Sequence, residues 1–136
     1  MRAGVAFLLM AAAAFIDLDR TLLSGASGPV ITAALRSANL VPQSIPGESL
    51  LYRLFNTVGE TLPSMLLARQ GAVAMKGKSQ RIVRDAARTA ITDLTALVQP
   101  FARSLIEKHR AAGDKLVLAT TTPYDFIEEF ASSLGF

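Results

Sequence analysis

Residues 3–16 form an unbroken apolar run, AGVAFLLMAAAAFI, that stops abruptly at Asp17-Leu18-Asp19. Few structures accommodate such a segment. At 14 residues it falls short of the roughly 20 that a membrane-spanning helix requires. A strand of a parallel sheet fits, because a sheet covered on both faces carries near-continuous apolar strands. A secretory signal has the same layout, with Arg2 as the basic start, the run as the apolar middle and alanines at 11–14 as the small residues before a cleavage site. Asp17 and Asp19 favour the strand, since they put two carboxylates where a strand would end. The signal reading forecasts cleavage near Ala13.

Composition removes other classes. The chain has 136 residues, 51% hydrophobic and 18% charged, which suits one folded domain and excludes a disordered segment. It has no cysteine, so disulfide scaffolds, zinc fingers and thiol nucleophiles are excluded together. The single histidine, His109, cannot build a histidine-rich metal site or, without another base, a Ser-His-Asp triad; between Lys108 and Arg110 it reads as an exposed helix residue. Net charge is +3, and the basic residues cluster only at Lys76, Lys78, Arg81, Arg84 and Arg88, relieved by Asp85. That cluster reads as the solvated face of a helix, and nucleic acid is not an expected partner.

Beyond residue 23 helical signals dominate. Small residues at 24–29 read as a loop, residues 29–38 as a short helix, and 41–47, with Pro42 and Pro46, as a break. Leu50, Leu51, Leu54, Phe55 and Val58 recur at helical spacing, and Leu62, Met65, Leu66, Ala68 and Val73 do so less regularly. After a turn at 75–78, Ser79 is placed to cap a helix over 80–98. Its apolar stripe is Ile82, Val83, Ala86, Ala87, Ala90, Ile91, Leu94, Leu97 and Val98. Pro100 opens another helix that Gly113 closes, residues 115–119 form a second strand, and 123–134 form an amphipathic helix with Phe126, Ile127, Phe130 and Leu134 on one side. Strand, helical insert, helix, strand and helix make an α/β pattern with two strands, fewer than an open parallel sheet normally has.

Two places can carry chemistry. Asp17 and Asp19 are two apart, which on a strand puts both side chains on one face, and the carboxyl end of a parallel strand faces the crevice where α/β proteins bind ligands. Carboxylates that close tend to bind a hard divalent cation or share a proton. With magnesium, one can attack phosphorus while the other handles the leaving-group proton. The plainer alternative is a polar turn in which Asp19 caps the next segment. At Thr120–Asp125, Thr122 can cap the last helix, Pro123 can take its first position and Asp125 its third. A helix N-terminus there would attract an anion, with Thr120 and Thr121 adding hydroxyl donors; an ordinary threonine-rich turn is the alternative. Taken together, the two places predict one crevice for metal and phosphate.

The segment Ala14-Phe15-Ile16-Asp17-Leu18-Asp19-Arg20-Thr21-Leu22 resembles motif I of the haloacid dehalogenase (HAD) superfamily, a hydrophobic strand followed by DxDxT, and Gly113-Asp114-Lys115-Leu116-Val117-Leu118-Ala119-Thr120 resembles its motif II. The helical insert is similar to the cap of the phosphoserine-phosphatase-like branch (subfamily IB). The phrases SGASGPVITAALRSA, LLYRLFNTVGETLPSMLLARQ and VLATTTPYDFIEEFASSLGF resemble the phosphatase domain found fused to 1-acylglycerol-3-phosphate acyltransferase.

The resemblance implies an incomplete Rossmann-like core: residues 1–23 with the first strand and motif I, 24–99 as a helical cap, and 100–136 with the core helix, second strand and following helix. It implies a magnesium-dependent phosphomonoesterase in which Asp17 is the nucleophile, forming an aspartyl-phosphate, and a metal ligand. Asp19 is then the general acid/base, its carbonyl a further metal ligand, and Thr120, with Thr121 beside it, holds the phosphoryl group. The expected partner is a small phosphorylated metabolite, with fusion to or association with a lipid acyltransferase module in a longer parent. The expected location is cytoplasmic, or secreted if residues 1–14 are a signal. Two departures stand out. The family's later lysine and acidic metal pair have no counterpart, so the polypeptide alone is expected to be weak or inactive. Ala26 stands where serine-specific members carry a glutamate, so phosphoserine is not the implied substrate. The competing functions are a non-catalytic remnant or interaction module, and a secreted helical protein.

Overall fold

A computed structural model describes residues 12–44, 46–58, 73 and 75–136. The expected apolar segment before residue 12, the periodic segment through Leu62, Met65, Leu66 and Ala68, and the side chains of Leu51, Phe55 and Val58 lie outside the described residues.

Two strands, β1 (Ala13–Asp17) and β2 (Lys115–Ala119), pair in parallel with Ala13 opposite Lys115 and Asp17 opposite Ala119. Parallel strands need a long crossover. Here the described part of it comprises α1 (Ser27–Ser37), α2 (Glu48–Val58), α3 (Gln80–Arg88), α4 (Ile91–Ala96) and α5 (Pro100–Ala111), and α6 (Tyr124–Leu134) follows β2. The fold is α/β, with two parallel strands in one sheet. Among the described residues no helix is long and apolar enough to cross a membrane. Ile16 is buried whereas Phe15 is 72% exposed, so among the described residues β1 is covered on one face only. That corrects the expectation of two-sided burial: Ala13, Phe15 and Asp17 share the open face because successive strand residues alternate.

One hydrophobic cluster joins sheet and helices, including Ile16, Leu18, Ile31, Leu94, Ile106 and Phe130. Two helix ends show how local sequence set the geometry. At α5, Gly113 has φ +78°, its N–H bonds the Arg110 carbonyl and the Asp114 N–H bonds that of His109, the left-handed closure expected of this glycine. At α6, Gly135 has φ +91°, and a Cβ there would lie 1.8 Å from the Arg110 guanidinium, which donates to the Leu134 carbonyl at 2.8 Å. His109 is half-buried rather than exposed, its Nδ1 2.8 Å from Asp114 Oδ2 across the same turn.

The single helix expected over 80–98 is two. The Thr89 hydroxyl turns back onto the Ala86 carbonyl at 2.7 Å, and the N–H groups of Thr89 and Ala90 bond three residues back instead of four. Val83, Ala86, Ala87, Ala90 and Leu94 are buried as the stripe required, but Ile82 is 52% exposed. Val98 leaves the helix altogether and bridges Leu23. Ser79 precedes α3 without donating or accepting a side-chain cap bond.

The basic face of α3 meets acids on α6. Arg84 donates to Asp125 at 2.7 Å and lies 3.2 Å from Glu128, Arg88 donates to both oxygens of Glu129, and Gln80 donates to Asp125 at 2.8 Å. The bonds from Arg84 and Gln80 hold the Asp125 carboxyl below its ordinary range, and that from Arg88 does the same for Glu129. Both groups therefore stay ionised in the fold at a pH where the unfolded chain takes up protons. Their stabilisation is complete above the ordinary carboxylate range and is lost as pH falls through the lowered values. Acid titration followed by circular dichroism should show stability falling below about pH 4. Arg84→Met with Arg88→Met should flatten that limb; an unchanged acid limb would show that the ladder contributes nothing.

Candidate active site

β1 delivers Asp17 at its carboxyl end, and the next five residues form a tight turn (Leu18–Leu22). Its shape follows from its two leucines. Leu18 and Leu22 are both essentially fully buried, so the residues between them are pushed outward. Arg20 takes a left-handed conformation at φ +59°, a strain of order 1 kcal/mol that the surroundings must hold. The Leu23 N–H bonds the Leu18 carbonyl at 2.9 Å and the Arg20 N–H bonds that of Gly25 at 3.1 Å. Beyond the turn, Ser24 and Gln99 N–H groups bond Leu97 and Leu22 carbonyls, fastening it to the segment after α4.

The two carboxylates differ in employment. Thr21 Oγ1 donates to Asp17 Oδ2 at 2.7 Å. Asp19 Oδ1 accepts the N–H of Ser27, the first residue of α1, at 2.5 Å. β1 ends at Asp17, so strand alternation does not orient Asp19; the turn does. Asp19 thus satisfies one of the unpaired N–H groups that open a helix, as its plainer reading anticipated.

Across the strand pair, Ala119 lies opposite Asp17 and leads directly into Thr120. Thr120 Oγ1 accepts the Thr122 N–H at 3.0 Å, leaving its own O–H proton to donate elsewhere. Thr121 is exposed on the same turn. Thr122 does not cap α6: Pro123 holds the cap position with no side-chain bond, and the Thr122 hydroxyl lies 3.2 Å from that of Ser27. Asp125 is also diverted from the expected capping box, because Arg84 and Gln80 offer stronger, charge-assisted or side-chain partners. Asp17, Asp19, Thr120 and Thr122 are therefore gathered at one end of the sheet.

Ser27 was not legible as a site residue. It is only 1% exposed, and the sequence shows merely a serine in a stretch of small residues. Only its place at the start of a helix could have flagged it.

Among the described residues no group of three or more Asp, Glu or His side chains is assembled to hold a metal. The two carboxylates are nonetheless hard oxygen donors. Magnesium is commonly held by one or two carboxylates, completed by phosphate oxygens and water, so the donor set fits that ion.

These features define a class: an α/β protein whose parallel strands present an acid and a hydroxyl turn at their carboxyl ends, where such folds bind ligands. Residues 14–136 match the family model of the haloacid dehalogenase-like hydrolases, and the chain belongs to that family. Neither a curated protein nor a solved structure matches significantly.

Proposed function

We propose that the protein is a magnesium-dependent phosphomonoester hydrolase domain of the phosphoserine-phosphatase-like branch, working through an aspartyl-phosphate. The observation that carries the reading is the register of the strand pair, which sets Asp17 opposite Ala119 and so beside the Thr120 turn. With Oδ2 engaged by Thr21, Asp17 Oδ1 is the oxygen that attacks phosphorus while the ester P–O bond breaks. Asp19 gives its proton to the departing oxygen, then takes one from the water that attacks phosphorus and releases phosphate, restoring Asp17. Thr120 donates its hydroxyl to a phosphoryl oxygen. Asp17 and the Asp19 carbonyl would hold magnesium, which when bound supplies positive charge against the phosphate.

The segment 24–99, read as a cap, is the part expected to select the substrate.

The test is hydrolysis of an aryl phosphate with magnesium and with EDTA, for the unaltered protein and for Thr120→Val. Turnover should need the metal and should fall about 10²–10³-fold in the variant. Turnover that survives EDTA, or that Thr120→Val leaves intact, overturns the reading; no turnover and no response to magnesium with beryllofluoride favours a non-catalytic remnant.

A further inference from the structure

We infer that Ser27 is a positioning residue that couples the Asp19 turn to the Thr120 turn, so that neither half of the site shifts without the other. The consequence for catalysis rests on the proposed hydrolase function; the coupling itself does not.

The observation is a continuous chain of hydrogen bonds across two loops far apart in sequence. Asp19 Oδ1 accepts the Ser27 N–H at 2.5 Å, the Ser27 and Thr122 hydroxyls lie 3.2 Å apart, and the Thr122 N–H donates to Thr120 Oγ1 at 3.0 Å. Ser27 is the buried polar residue in this chain, 1% exposed, while Asp19, Thr120 and Thr122 are partly exposed. A buried hydroxyl is costly to leave unpaired, which fixes its partner. Its partner here, Thr122, has been drawn away from capping α6. Either hydroxyl can be the donor of the Ser27–Thr122 bond. If the Ser27 hydroxyl donates to Thr122, Thr122 keeps a proton for an outside acceptor; in the reverse sense Ser27 is satisfied from the turn. Either way the Thr120–Thr122 turn is tied to the residue that the Asp19 carboxylate grips.

Two substitutions separate the links. Ser27→Ala removes the hydroxyl and keeps the N–H. Thr122→Val removes the partner hydroxyl, keeps its shape and keeps the N–H to Thr120; Thr122→Ser serves as the conservative control. Amide hydrogen exchange needs no turnover. In Ser27→Ala and in Thr122→Val, protection of the Thr122 amide should fall about tenfold or more, with the Leu116–Leu118 amides unchanged, and Thr122→Ser should retain protection. Unchanged Thr122 protection in both variants overturns the coupling, and a uniform loss over the whole chain overturns it in favour of a merely structural role. In the magnesium-dependent assay, kcat should fall about tenfold with KM within about twofold, and the double variant should lose no more than either single one. Additive losses overturn the coupling. Failure of the unaltered protein both to hydrolyse the aryl phosphate and to respond to magnesium with beryllofluoride overturns the function instead, and leaves exchange to decide the coupling.

Discussion

An Asp17→Asn protein is expected to fold normally and to lose at least about a thousandfold in phosphomonoesterase turnover, the loss typical of removing a nucleophile. The two halves of that expectation come from different atoms. Asp17 is exposed, and the carboxamide oxygen of asparagine still accepts from Thr21 Oγ1, so the local turn keeps its contact. Surface changes of this kind shift stability by about 0.5 kcal/mol or less. The carboxamide cannot replace the attacking carboxylate oxygen, so the chemistry stops. Melting temperature and aryl phosphate hydrolysis, measured on the same preparation, check both halves. A normal melt with undiminished turnover in the Asp17→Asn variant would remove Asp17 from the reaction.

Phe130→Ala should bring the largest loss of stability, about 3–5 kcal/mol. Phe130 is 1% exposed at the middle of α6, within the hydrophobic cluster against which Ile91 of α4 and Phe126 of α6 itself pack. Removing the ring deletes the side chain that fills the junction of α6 with α3 and α4, and the ion ladder between α3 and α6 is too exposed to hold those helices alone. For a chain of this length the melting temperature should fall by roughly 10–20 °C. A drop of less than about 3 °C would mean that α6 is not seated on those helices. The same packing carries α6 to the Thr120 turn, so any residual activity should fall with temperature ahead of the unaltered protein.

The meeting of the two strand ends was legible because each stands at a sharp local boundary. Asp17 ends an apolar run and Thr120 ends another, and the two ends do lie side by side in the parallel pair. Gly113 was legible for a similar reason, since a left-handed helix end has a strong residue preference. What escaped was the choice among competing partners. Thr122 and Asp125 both had a local use at the start of α6, and both were taken by residues from elsewhere: Ser27 for one, Arg84 and Gln80 for the other. The apparently continuous helix breaks at Thr89 and Ala90, where the N–H groups bond three residues back, a change that helical periodicity does not register.

By itself the sequence determined the α/β character, the two strands and the residues at their ends, because apolar periodicity and abrupt changes in polarity are local properties of the chain. The tertiary structure alone decided which face of β1 is open, which carboxylate is committed to a helix N-terminus, and that Ser27 bonds both Asp19 and Thr122. Hydrogen-bond partners are chosen only once packing has brought distant donors and acceptors within about 3 Å and taken water away from them.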